Sequence, residues 1–158
     1  MLRKLGPWLM FVAALFVMSL GIALVTRGNL GTTPISSLPL VSSYASSLTF
    51  GETTFLINLL FVAAQWVLLR RSINKVLLLA QIPITLAFSY FIDTSMKFTE
   101  FLSSDVYWKC LAVSMLGNMV LGLGVALEVF SGAAALPGEG LVLAVSTVLH
   151  KPFSSVKI

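Results

Sequence analysis

The chain has 158 residues, of which 58% are apolar and only 10% are charged, and its mean hydropathy is +0.98. Soluble globular proteins are roughly 45–50% apolar and about 25% charged, so this composition excludes a soluble enzyme, a disordered tail and a disulfide-stapled secreted module. The net charge of +4 comes from basic residues scattered near the ends of apolar stretches, which indicates topology determinants rather than a nucleic-acid-binding surface.

Four apolar stretches are long enough, or nearly so, to cross a hydrocarbon core of about 30 Å as helices that rise about 1.5 Å per residue. In chain order, the predicted transmembrane spans are Trp8–Thr26, Thr53–Leu69, Val76–Ile92 and Cys110–Leu127. The first stretch is too long for a secretory signal and lacks a small-residue cleavage site, so we interpret it as a retained helix. Cys110 is the sole cysteine, which excludes a disulfide framework and a Cys-rich metal site.

The chain contains an internal repeat. An offset of 103 residues lays Val17–Phe55 over Val120–Ile158 without a gap, with ten identities in 39 positions. The most specific shared element is Gly-x-Ala-Leu followed ten residues later by Pro, which occurs before Pro34 and again before Pro137. The second unit stops early, so we expect the chain to be either part of a protein of about 200 residues or a truncated gene product.

The segment Pro34–Leu48 decides how the two repeats are oriented. As a helix it reaches only about 22 Å, so we predict that it is re-entrant, and three crossings per unit then invert the second unit in the membrane. With a cytoplasmic N-terminus, this topology places seven basic residues inside and three outside, as the positive-inside rule requires. A crossing segment would instead place Arg70, Arg71 and Lys75 outside.

The predicted fold is therefore an all-α, polytopic transmembrane helix bundle with an inverted internal repeat and short re-entrant helices. Residues 1–103 form the first repeat, with three spans and the re-entrant segment 34–48. Residues 104–158 form an incomplete second repeat, with one span and the re-entrant segment 137–149.

Several runs of sequence are similar to those of the YczE/YitT-like family of bacterial integral membrane proteins. These runs are GIALVTRGNLGTTP, a Ser-rich stretch, FGETTFLIN, the basic break RRSINK and FSYFID. Members of that group usually carry an aromatic residue after the first Pro, where this chain has Ile35. The resemblance implies a multi-pass protein of the bacterial plasma (inner) membrane, but it implies no activity.

Polar side chains recur on one face of each short segment. The predicted substrate-binding residues are Ser36, Ser43, Ser47, Glu139, Ser146 and His150. Ser43 and Ser47 lie at i+7 and i+11 from Ser36, each within about 20° of it around a helix, and the offset of 103 leads from these three serines to the other three residues. Two such stripes on proline-led short helices are typical of a transporter site near the membrane midplane. The alternative is that the serines bond to their own helix carbonyls or pack between helices.

The irregular chain before each short helix is predicted to line the same site with backbone groups, because free amides and carbonyls are tolerated at membrane depth only beside a cavity. The predicted backbone lining is Gly28, Gly31, Gly132 and Gly138. Helix N-termini favour an anion, whereas Glu139 suits a cation, an amine or a proton relay. The sequence leaves the charge of the solute open.

We predict structural roles for the remaining polar residues of the spans. Interhelical hydrogen bonds are predicted for the single amides Asn58, Gln65, Gln81 and Asn118. Asp93 and Glu128 are predicted to lie at headgroup level. The first and fourth spans are predicted to cross at the small-residue pairs Ser19 with Ala23 and Gly122 with Ala126.

The leading functional hypothesis is a small-solute transporter or channel, and the alternative is a non-transporting membrane scaffold or accessory subunit. No sequence motif for catalysis, for a metal or for a cofactor is present, so we expect neither an enzyme nor a cofactor. The expected partners are the lipid bilayer and a small polar or ionic solute, with no nucleic acid. A homo-oligomer is compatible with the sequence.

Overall fold

The computed structural model describes residues 2–69, 75–132 and 136–149, and every regular element within these ranges is helical. The helices are α1 (Leu2–Arg27), α2 (Pro34–Ala45), α3 (Phe50–Leu69), α4 (Lys75–Phe98), α5 (Tyr107–Ser131) and α6 (Pro137–Leu149), with one turn of 3-10 helix at Glu100–Leu102. The predicted all-α class is confirmed.

Three helices of the described chain are long and apolar enough to cross a membrane. They are Gly6–Arg27, Phe50–Leu69 and Tyr107–Ser131, and they agree with three of the four predicted spans. The other predicted span coincides with α4, whose 24 residues measure about 36 Å but include the buried polar side chains Gln81 and Ser89. The apolar helices identify a membrane protein.

Helices α1 and α5 run antiparallel and form the most extensive helix pair among the described residues. A Cβ at Gly21 would lie 2.5 Å from the backbone N of Leu121, and a Cβ at Gly124 would lie 2.7 Å from the backbone N of Met18. Only glycine lets the two backbones approach so closely. The two contacts are related by the offset of 103 residues, which leads from Met18 to Leu121 and from Gly21 to Gly124.

The predicted crossing of the first and fourth spans is confirmed, but different small residues make it. Gly122 is exposed, and nothing lies within 4 Å of a Cβ placed there. Ser19 is buried, yet its hydroxyl lies 3.2 Å from the hydroxyl of Ser95 in α4. On α5 the contact is made by Gly117 and Gly124, which lie at i and i+7 on one face. The small-residue spacing thus identified the right helices but the wrong face of α5.

Two carboxylates accept hydrogen bonds from residues at the start of α3. The Thr49 N–H donates to Glu52 Oε2 at 2.8 Å and the Glu52 N–H donates to Thr49 Oγ1 at 3.1 Å, which is a capping box. From α4, Asp93 Oδ1 accepts the Gly51 N–H and Oδ2 accepts the Thr49 hydroxyl, both at 2.7 Å. Asp93 therefore stabilises the N-terminus of α3 and joins α3 to α4.

Replacing Asp93 by Ala is expected to lower the free energy of unfolding by about 2 kcal/mol, because two hydrogen bonds to a charged group are lost from a helix N-terminus. Thermal unfolding in detergent can be followed with a thiol-reactive dye, since Cys110 is the sole cysteine and is 8% exposed. The control is Asp105→Ala, at an exposed carboxylate outside the helices. Equal melting temperatures for the two variants would contradict a stabilising role for Asp93.

Candidate functional site

A cavity of about 380 Å³ lies in the middle of the bundle, where all six α-helices contribute to its wall. Met18 and Ile22 line it from α1, and Leu121 and Val125 line it from α5. Most of the wall is apolar. The polar side chains that line it are Thr33, Ser36, Thr54, Asn58, Glu128 and Glu139.

The two short helices begin at this cavity. Pro34 occupies the first turn of α2, and the Oγ1 of the N-cap residue Thr33 accepts the Ser36 N–H at 3.3 Å. Pro137 opens α6 in the same way. Proline is favoured at a helix start because its fixed φ suits the helix and its missing N–H would have no partner there.

The first turns of α2 and α6 face each other. A Cβ at Gly138 would lie 3.7 Å from Ile35 Cδ1, so the two helices meet with only a side chain between them. Helix N-termini carry a partial positive charge. Two such termini therefore point toward one small space.

Side chains of α3 donate a hydrogen bond to a backbone carbonyl of each short helix. Thr53 Oγ1 donates to the Pro39 carbonyl at 2.9 Å, and Gln65 Nε2 donates to the Pro137 carbonyl at 3.0 Å. Gln65 Nε2 also donates to Gln81 Oε1 of α4 at 3.3 Å. The interhelical hydrogen bonds predicted for these two glutamines are confirmed.

Two carboxylates line the cavity beside the start of α6. Glu128 is 3% exposed, and its Oε1 accepts the Leu136 N–H at 3.3 Å. Glu128 lies in the last turn of α5, which ends at Ser131, and its side chain faces the cavity rather than the outside of the bundle. Its position at headgroup level stays a prediction. Glu139 is half-buried in the first turn of α6. Both lie where a helix N-terminus favours a negative charge.

Asn58 projects from α3 into the cavity wall. It is 8% exposed, and within the described ranges its amide makes no hydrogen bond. The interhelical bond predicted for Asn58 is therefore wrong, and Asn118 instead donates to the carbonyl of Ser114 in its own helix, at 2.9 Å.

The polar stripe predicted on α2 contributes one residue to the cavity, Ser36. Ser43 is half-buried and donates to the Leu40 carbonyl of its own helix at 2.7 Å. Ser47 is exposed and lies beyond the helix, because α2 ends at Ala45. The stripe is shorter than predicted.

The equivalent stripe on α6 also contributes one lining residue, Glu139. Ser146 is buried but does not line the cavity. His150 lies outside the described residues. The structure thus brings Ser36 and Glu139, which are 103 positions apart in the sequence, to a single cavity.

The four glycines of the predicted backbone lining have different surroundings. Gly138 lines the cavity. Gly28 instead packs against Ser114 Oγ of α5. Gly31 and Gly132 are exposed and have positive φ angles of 132° and 57°, which suit the turns that follow α1 and α5.

Four polar lining residues lie outside the predicted set: Thr33, Thr54, Asn58 and Glu128. Helical spacing would have found two of them, since Thr54 and Asn58 lie at i and i+4 on one face of α3. The same spacing places Glu128 on the face of Leu121 and Val125. These faces were visible in the sequence, but the cavity that they share was not.

A family model described as DUF6198, a family of unknown function, matches residues 5–158. No curated protein and no solved structure matches the chain. The matched range includes both short helices and every residue that lines the cavity.

Proposed function

The chain belongs to DUF6198, a family of unknown function, and we propose that it is a transporter or channel that moves a small solute across a membrane through the cavity between α2 and α6. The observation that carries this proposal is the position of the cavity. It lies where two proline-led helix N-termini face each other in the interior of a bundle of apolar helices. Sites of this kind are typical of transporters built from repeats.

The lining of the cavity supports an internal repeat. Twelve of the residues that line it form six pairs whose members are 103 positions apart. The pairs are Met18 and Leu121, Ile22 and Val125, Thr33 and Leu136, Ile35 and Gly138, Ser36 and Glu139, and Pro39 and Val142. Equivalent positions of both units therefore contribute to one site.

The orientation of the helices supports an inverted relation between the units. Helices α1 and α5 are repeat equivalents, and they run antiparallel because Met18 meets Gly124 while Gly21 meets Leu121. Asn29 and Gly132, also equivalent, have left-handed φ angles of 51° and 57° just after the two helices. The proposed bundle is that of a multi-pass protein in a bacterial plasma membrane, as the likeness to the YczE/YitT-like family implies.

The geometry of α2 supports a re-entrant segment. Its 12 residues measure about 18 Å, too short for a crossing. It starts at the central cavity, and a short link, 46–49, joins its other end to the beginning of α3. In this proposal the chain enters from the side where α1 ends and returns to that side before α3 crosses.

Cysteine labelling in intact bacterial cells tests this topology. In a Cys110→Ala background, Leu30→Cys and Ser47→Cys lie at exposed positions before and after α2. Both are expected to react with a membrane-impermeant maleimide added outside, because the proposed N-terminus is cytoplasmic. Labelling of only one of the two from outside would show that α2 crosses and would contradict the re-entrant proposal.

A further labelling experiment separates a transport site from the scaffold alternative. Ser36→Cys in the same background is expected to react with a small water-soluble methanethiosulfonate, because a solute pathway has to contain water. The control is Met119→Cys, which is 71% exposed on α5 but would face lipid. Equally slow labelling at both positions would indicate a dry packing defect and would favour a scaffold.

A further inference from the structure

We propose that Asn58 binds the solute of this cavity, and that the solute is a small, largely apolar molecule with a hydrogen-bonding group. This inference rests on the proposed function, because it names a specificity-determining residue and a class of solute for the same site. It is drawn from the bonding of the side-chain amides, from the partners of the other polar lining residues and from the chemistry of the walls.

Asn58 differs from the other side-chain amides of the described helices. Gln65 and Gln81 bond to each other across α3 and α4, and Asn118 donates to a carbonyl of its own helix. Asn58 is more than nine-tenths buried and makes no hydrogen bond within the described chain. Of these four described amides, it is the one that lines the cavity. The unpartnered amide therefore faces the space in which a solute would bind.

The other polar side chains that line the cavity already have partners. Within the described residues, Thr54 donates to the Phe50 carbonyl of its own helix at 2.7 Å, and the Thr33 hydroxyl donates to Ser36 Oγ at 2.8 Å. Both carboxylates of the lining also have interactions of their own. An amide offers both a donor and an acceptor. Asn58 thus brings both to the cavity without a described partner for either.

Apolar side chains make up most of the remaining wall. Ile57, Phe61 and Phe88 line the side of the cavity formed by α3 and α4. Ligand cavities of roughly 300–1,000 Å³ typically have such apolar walls, with a few polar groups that orient the ligand and give specificity. At about 380 Å³, this cavity is near the lower end of that range, which indicates a small ligand.

An amide in an apolar cavity discriminates between ligands by hydrogen bonding rather than by size. A ligand with a hydrogen-bonding group replaces the bonds that water in the solute pathway would make with the amide. An apolar ligand of the same shape displaces that water and leaves the amide unpaired, which weakens binding. Asn58 is therefore expected to decide between molecules that fit the cavity equally well.

Asn58 can be replaced with little effect on the fold, because its amide bonds to no other residue of the described chain. Asn58→Leu removes the amide at similar size, and Asn58→Ala removes it without adding volume, so either variant can carry the test. Asn118→Leu is the matched control, since Asn118 is exposed on α5 and does not line the cavity. Melting temperatures measured with the Cys110 dye establish that each variant is folded.

The test measures binding of four probes of similar shape to the full chain in lipid nanodiscs by calorimetry, with empty nanodiscs as the correction for partition into lipid. Benzyl alcohol, benzylammonium and benzoate carry a neutral, a positive and a negative polar group, and ethylbenzene carries none. At least one polar probe is expected to bind about tenfold or more tightly than ethylbenzene. Asn58→Leu and Asn58→Ala are each expected to weaken its binding about tenfold without weakening that of ethylbenzene, while Asn118→Leu changes neither.

Labelling of Ser36→Cys with the methanethiosulfonate separates failure of this inference from failure of the proposed function. Suppose that Ser36→Cys reacts faster than Met119→Cys. If ethylbenzene then binds as tightly as every polar probe, if the Asn58 variants bind the polar probe as tightly as the parent chain does, or if no probe binds, the role of Asn58 is overturned and the solute pathway stands. If Ser36→Cys reacts no faster than Met119→Cys, the proposed function fails and the role of Asn58 fails with it.

Discussion

Replacing Gly21 or Gly124 by Val is expected to force α1 and α5 apart and to lower the free energy of unfolding by about 3 kcal/mol or more. The new Cβ would lie 2.5 Å from the backbone N of Leu121 or 2.7 Å from that of Met18. Backbone atoms cannot move aside as a side chain can, so the whole helix has to shift. Overpacking of a close contact typically costs roughly 1–3 kcal/mol and sometimes more.

Gly122→Val provides a matched control for this prediction. The substitution is chemically identical and only two residues away, but nothing lies within 4 Å of a Cβ at Gly122. Thermal unfolding followed with the Cys110 dye should therefore show a large fall in melting temperature for Gly124→Val and little change for Gly122→Val. If both variants melt at the same temperature, the close packing of α1 on α5 does not exist in the folded protein.

Replacing Gly138 by Leu is expected to fill the cavity without destabilising the protein. The nearest side-chain atom to a Cβ at Gly138 is Ile35 Cδ1 at 3.7 Å, which is an ordinary contact, so the rest of the Leu side chain can enter the open space. Labelling of Ser36→Cys by the methanethiosulfonate should slow by about tenfold, because the added side chain occupies the space that both residues line.

Gly138→Ala is the control for Gly138→Leu, because it adds a side chain at the same position that is too small to fill the cavity. A single methyl group fits at this position, so labelling of Ser36→Cys should stay close to that of the parent chain. The melting temperature should change little for either variant, which separates a blocked site from an unfolded one. Unchanged labelling in a folded Gly138→Leu variant would show that the solute does not pass between α2 and α6.

The local features of the sequence predicted the helices well. Pro34 and Pro137 begin helices in the structure as the sequence predicts, because proline suits a first helical turn and disrupts a helix interior. The apolar spans were equally accessible, since membrane-crossing length and composition are properties of one segment at a time. The offset of 103 residues also led from Ser36 to Glu139, and both line the cavity.

Features that depend on several helices were not predicted. Glu128 looked like the end of a span, but α5 continues to Ser131 and carries its carboxylate inward. Asn58 looked like one more amide available for an interhelical bond, and only the packed structure shows that it faces a cavity instead. A sequence indicates which face of a helix is polar, whereas the neighbour of that face is decided by the packing of other segments.

Hydrogen bonds and close backbone contacts join five of the six helices into two groups, α2, α3 and α6 in one and α1 and α5 in the other. Helices α2 and α6 are both fastened to α3, through the carbonyls of Pro39 and Pro137, whereas α1 and α5 are interlocked with each other. Residues of both groups line the cavity, which lies between them. Separating the short helices from α3 would break the bonds to the Pro39 and Pro137 carbonyls. Tilting the α1–α5 pair leaves those bonds intact but breaks two bonds from α1 to α4, which run from Arg27 to the Met96 carbonyl and between the Ser19 and Ser95 hydroxyls. In the proposed transporter, each way of opening the cavity therefore costs its own set of interhelical hydrogen bonds.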